Sequence, residues 1–134
     1  MPMGTRDSGG KRAKIWGRLS DVCGRIHKWL YGKSDRNRAL KTLPKLEDLL
    51  SALPEDEMAI VRWEGYALYH ELRGELALAL AYRLREIELM DMLYKHIETQ
   101  GCKEGTTAWR RQRRDRDALE ERRAIVESLR LRLK

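Results

Sequence analysis

The 134 residues contain no phenylalanine, three prolines and two cysteines. Cys23 and Cys102 stand too far apart for a zinc knuckle and are too few for a disulfide framework. That scarcity points to a reducing, cytoplasmic compartment. No apolar segment follows Met1, so no secretory leader is expected. The longest stretch without a charged residue is Leu76–Tyr82, seven residues, against the ~20 that span a bilayer. Alternating runs bounded by turn residues are missing, which argues against a β-sandwich. What remains is a chain with 37% charged and 42% hydrophobic residues, against a typical ~25% and ~45–50%. Leu, Ile, Val, Trp and Tyr recur throughout, so it is not a disordered tail. The length suits one domain with one modest core.

The net charge of +7 is uneven. Residues 1–41 hold eleven basic and three acidic side chains, and residues 102–134 hold eleven and six. Between them, residues 42–101 hold six basic and twelve acidic ones. An acidic centre repels polyanions, so an acidic protein, nucleic acid or anionic lipid should meet the ends. Alternatively, the basic ends offset the acidic middle within the chain.

The spacing of apolar residues predicts an all-α fold of about five helices. Residues 1–10 show no periodicity and are expected as a flexible tail; residues 11–134 form one helical domain. Ile15, Leu19, Val22, Ile26 and Leu30 step by four and three, with Trp16, Cys23 and Trp29 widening the stripe. A second helix is expected from Asp35 to Ala52, kinked or delayed by Pro44. Pro54 and the acidic Glu55, Asp56 and Glu57 suit the start of a third helix, reaching Arg73. Gly74 interrupts the pattern, and Glu75–Gln100 follows with two stripes that call for neighbours on two sides. The last helix, 107–133, is expected to start at Thr106 or Thr107 and to carry a narrow stripe of Leu119, Val126, Leu129 and Leu133. Its basic first half has little apolar face and is expected to project.

The stretch about 60–90 resembles one tetratricopeptide repeat (TPR), a helix–turn–helix unit. Trp63 matches the early aromatic, Ala67 and Ala79 the small residues at the helix crossing, and Gly74 the turn. The pattern departs at Arg83, Glu86 and Asp91, where the family carries an aromatic, an Ala and a Pro. The resemblance implies an antiparallel hairpin with Ala67 and Ala79 buried, completed by the flanking amphipathic helices.

No catalytic, cofactor-binding or metal-ligating set emerges, and no enzyme activity is expected. Gly32-Lys33-Ser34 ends like a phosphate-binding loop, but His27 stands where the first Gly belongs, and the segment follows a helix. His27, His70 and His96 are scattered. His70 and His96 could approach across the hairpin, yet no carboxylate or Cys at ligand spacing accompanies them. Cys23 falls in an apolar stripe and is expected as a buried, inert thiol. Glu71 and Glu75 read as solvated helix surface.

One cluster goes against helix stability. Arg110, Arg111, Arg113, Arg114 and Arg116 crowd the start of the last helix. Positive charge there opposes the helix dipole at ~0.3–1 kcal/mol per well-placed group. Like charges three and four apart cost a further ~0.2–0.5 kcal/mol per pair. An acidic partner would reverse the sign of this cost, with Trp109 beside the cluster to stack or pack. Lys11, Arg12, Lys14, Arg18, Arg25 and Lys28 form the polar face of the first helix and the second candidate surface. The readings are a helical adaptor that docks acidic protein surfaces, or an RNA-binding accessory protein. Peripheral membrane contact through the helix bearing Trp16 and Trp29 is a third, weaker reading. Self-association is compatible with each.

Overall fold

The computed structural model describes residues 2–54, 59–98 and 102–134, with side chains for 13–54, 59–95 and 102–134. Among them are six α-helices, one π-helical turn and no strand. Helix α1 spans Pro2–His27 and runs into the π-turn Lys28–Gly32. Its helical backbone reaches back through the residues expected as a tail, with Pro2 at the first position, where a missing N–H costs nothing. The side chains of Lys11 and Arg12 lie outside the described residues.

Ser34 takes a left-handed conformation (φ 53°) at the turn, and the Asp35 carboxylate caps α2 (Arg36–Lys41) by accepting from the Arg38 N–H at 3.1 Å. The single helix expected from Asp35 to Ala52 is two. Thr42 separates α2 from α3 (Leu43–Ser51), and Pro44 sits in the first turn of α3. A proline ring is tolerated there, because its lost N–H would have no intrahelical acceptor.

Helix α4 spans Ile60–Leu72, beginning later than the expected Glu55; residues 55–58 lie outside the described residues. Gly74 reverses the chain at φ 79°, a region other side chains avoid, and α5 (Leu76–Glu98) returns antiparallel to α4. Ala67 and Ala79 have no exposed surface. Thr106 caps α6 (Thr107–Leu133), its hydroxyl accepting from the Trp109 N–H at 3.2 Å.

Helix α4 is central, flanked by α1 and α3 on one side and α5 on the other; α6 lies on α5. The pairs Trp16–Arg62 and Tyr31–Glu71 show that α1 runs parallel to α4. Arg122–Glu64 and Arg132–Glu71 show the same for α6. The N-termini of α1, α4 and α6 therefore share one end of the bundle.

The main core lies among α1, α2, α3 and α4, through Leu19, Val22, Ile26, Ala39, Leu46 and Leu68. Gly65 allows the closest approach there: a Cβ would fall 2.9 Å from Leu50 Cδ2 and 3.3 Å from Leu19 Cδ1. The stripe of α1 is thus packed inward rather than presented to a surface. A second apolar cluster, between α5 and α6, has Ala79, Ile125 and Leu129 as its buried members among the described residues. Leu133, expected in the α6 stripe, is exposed; Ile125 is buried with the rest. The second stripe of α5 is also incomplete, since Leu78 and Leu93 are exposed. No helix among the described residues is long and apolar enough to cross a membrane.

Candidate functional site

The contact that seats α6 buries four of its apolar side chains, Leu119, Ile125, Val126 and Leu129. Charged groups join it from within. On α5, Arg83 and Glu86 are one turn apart and have no exposed surface; Arg83 Nη1 donates to Glu86 Oε1 at 2.8 Å. Arg122 of α6 reaches the same place, its Nη2 donating to Glu64 Oε2 at 2.7 Å and its Nε to Glu86 Oε2 at 3.4 Å. Three turns further along α6, Arg132 donates to Glu71 Oε2 at 3.3 Å, and Tyr31 donates to the other oxygen of Glu71. Two carboxylates of α4, one of α5 and three guanidinium groups thus tie α6 to the hairpin.

The lattice divides its protons unevenly. Burial pushes the Glu86 carboxyl up to about 7, although Arg83 pulls it down; the neighbouring Glu64 pushes it further up. Burial also opposes ionisation of Glu64, but the charge and hydrogen bond of Arg122 outweigh it and hold Glu64 below its ordinary value. The two carboxyl groups are therefore shifted in opposite directions, burial favouring the protonated form of Glu86 and Arg122 the ionised form of Glu64. Burial would lower the pKa of Arg83, yet Glu86 and Tyr31 leave it raised. The Cys23 thiol is pushed up by burial, with Glu64 adding to the effect. That is the inert thiol expected from its place in the stripe.

The sequence does not reveal that these charged residues pair with one another. Glu71 is buried, not solvated as expected, because α4 faces α6 and the π-turn at that position. Glu64 and Glu86 carried no motif. The available signal was the break in the α5 stripe at Arg83, where a charge replaces an apolar residue and needs a buried partner.

The candidate binding residues lie elsewhere. Arg110, Arg111, Arg113 and Arg114 are exposed, and none pairs with a carboxylate among the described residues. Arg113 lies over the half-buried Trp109 ring at 4.9 Å. Arg116 is tied to α5, donating to the Tyr94 hydroxyl and lying 5.2 Å from its ring centroid. Asp115 and Ile60 line one small cavity, so residues 107–114 extend about two turns beyond the level where α4 begins. Lys14 and Arg18 are exposed on α1 near the same end. Arg25 of α1 and Lys28 of the π-turn are exposed too, but two to three turns further along the chain. Neither α1 nor α6 has an acidic residue in its first turn, so the positive ends of both dipoles lack compensation there.

The histidines take separate places. His27 meets Glu121 of α6, and His70 Nδ1 lies 3.2 Å from Glu75 Oε1. The side chain of His96 lies outside the described residues. No group of three or more His, Cys, Asp or Glu residues gathers at metal-binding distance among the described residues. No protein-family model, curated protein or solved structure matches the chain.

Proposed function

We propose that the protein is a small non-enzymatic interaction module of the cytoplasm, built on a TPR-like hairpin, that docks an acidic protein surface. The observation that carries this reading is the exposed run Arg110, Arg111, Arg113 and Arg114, which has no carboxylate partner among the described residues. The contrast with the rest of α6 supports it. Arg122 and Arg132 hold the helix to the hairpin through Glu64, Glu86 and Glu71, so anchoring α6 does not require the terminal arginines. Guanidinium groups favour paired contacts with carboxylates, and Lys14 and Arg18 extend the positive field at the same end.

An acidic protein fits better than RNA because Trp109 is half-buried with Arg113 across its ring, not an open platform for a base. Binding of a poly-glutamate peptide and of a single-stranded oligouridine, each titrated at physiological salt, tests the choice. The expected result is saturable peptide binding that weakens when the four arginines are replaced by Gln, with negligible RNA binding. Tight RNA binding whose log affinity falls steeply with log salt would favour the nucleic-acid reading.

A further inference from the structure

The end of the bundle opposite the arginine run combines cations with exposed leucines. Tyr31 of the π-turn and Arg132 in the last turn of α6 both donate to Glu71, near the end of α4. Arg36 at the start of α2 donates to the Leu72 carbonyl at 3.1 Å. These contacts bring the π-turn, α2, the end of α6 and the turn into α5 to one level. Lys28 and Lys33 flank the π-turn, and Lys41 ends α2; all three are exposed, and none forms an ion pair among the described residues. Arg38, one turn from Lys41, lies over the half-buried Trp29 ring at 5.4 Å. Of the carboxylates at this level, Asp35 caps α2, Glu71 is buried, and Glu75 pairs with Arg73. Three exposed leucines share it: Leu78 in the first turn of α5, and Leu131 and Leu133 at the end of α6, 67% and 44% exposed.

We propose that this end rests on an anionic membrane surface. A lysine ammonium is a point charge on a flexible stem, suited to a diffuse layer of headgroups. The run in α6 is built of arginines, whose planar fork suits discrete carboxylates. Leucines beside the lysines gain by entering the interface, where their apolar surface leaves water. A nucleic-acid backbone would satisfy the lysines and leave the leucines in water. The contact is peripheral, because no helix among the described residues can cross a membrane. It does not use the apolar stripe of α1, which is packed into the core. Because the arginine run lies at the other end, both surfaces can be occupied at once, and the membrane contact does not depend on the docking role.

The test is vesicle flotation of the full chain, comparing phosphatidylcholine alone with phosphatidylcholine that carries ~30% phosphatidylserine. Binding is expected to the anionic vesicles and not to the neutral ones. Joint replacement Lys28→Gln, Lys33→Gln and Lys41→Gln is expected to lower the partition ~10-fold or more, with an unchanged melting temperature. Leu131→Ser with Leu133→Ser is expected to lower it ~3-fold or more. Replacing Arg110, Arg111, Arg113 and Arg114 by Gln is expected to change it by less than ~2-fold, since those side chains face away from the bilayer. No binding to anionic vesicles, equal binding to both kinds, or a loss that follows the arginines and not the lysines would each overturn the proposal. Vesicle binding indifferent to the leucines, together with duplex RNA binding that is lost in the lysine variant, would assign this end to nucleic acid and overturn it as well.

Discussion

Glu86 lies between two guanidinium groups and a second carboxylate, with no surface open to solvent. Its pKa is raised from an ordinary 4.5 to about 7, so the folded chain holds that proton more tightly than the unfolded chain. Between pH 4.5 and 7, unfolding releases the proton, and stability falls as pH rises through this window. Glu64 acts in the opposite sense: its lowered pKa adds stability that is present above pH 4.5 and lost as the pH falls below it. Glu86→Gln retains the shape of the neutral carboxyl and removes its titration. The variant should lose the decline between pH 5 and 7, a difference on the order of 1–3 kcal/mol between the two chains. Urea midpoints at pH 5, 6, 7 and 8 would measure it; parallel slopes for the two chains would contradict the proton assignment. At this scale some sequence expectations hold. Cys23, Ala67 and Ala79 are buried because each sits on an apolar or small-residue stripe. Glu64, Glu71 and Glu86 were not recognisable, because a buried carboxylate is defined by the helix that packs over it. Neither composition nor spacing names that helix.

Helix α6 is seated both by its buried apolar side chains, Leu119, Ile125, Val126 and Leu129, and by the ion pairs of Arg122 and Arg132. Removing one partner from a buried ion pair costs ~3–5 kcal/mol when burial is complete. Arg122 retains 16% side-chain exposure, which reduces the expectation for Arg122→Ala to ~2–4 kcal/mol. Amide hydrogen exchange along α6 should rise before that of α4. A loss under ~1 kcal/mol with unchanged exchange would mean that the apolar cluster alone holds the helix. Ala79 sits in that cluster, with Ile125 and Leu129 against it. Ala79→Leu should overpack it and cost ~1–3 kcal/mol in thermal unfolding, whereas a neutral result would show room the structure does not have. Element boundaries followed local chemistry where caps and turns were strong: Asp35, Gly74 and Thr106 stand where the sequence suggested. The split at Thr42 was less visible, since Pro44 is compatible with either a kink or a new helix start.

The whole molecule separates two uses of arginine. Arg83, Arg122 and Arg132 pair with carboxylates, whereas Arg110, Arg111, Arg113 and Arg114 stand exposed beyond the level where α4 begins, with no carboxylate partner among the described residues. The charge layout along the chain anticipated basic ends. It did not reveal that parallel packing of α1 and α6 against α4 would bring both to one end, because helix direction depends on the connections and on pairs such as Trp16–Arg62 and Arg132–Glu71. The proposed docking role requires that the exposed run serve a partner and not the fold. The most direct measurement is the melting temperature of a variant with all four arginines replaced by Gln, taken together with capture by an immobilised poly-glutamate peptide. Relief of like-charge repulsion and of the opposed dipole predicts an equal or slightly higher melting temperature, an unchanged helical signal and markedly weaker capture. A large fall in melting temperature would contradict the claim, because it would show the four arginines pairing with this chain's own carboxylates.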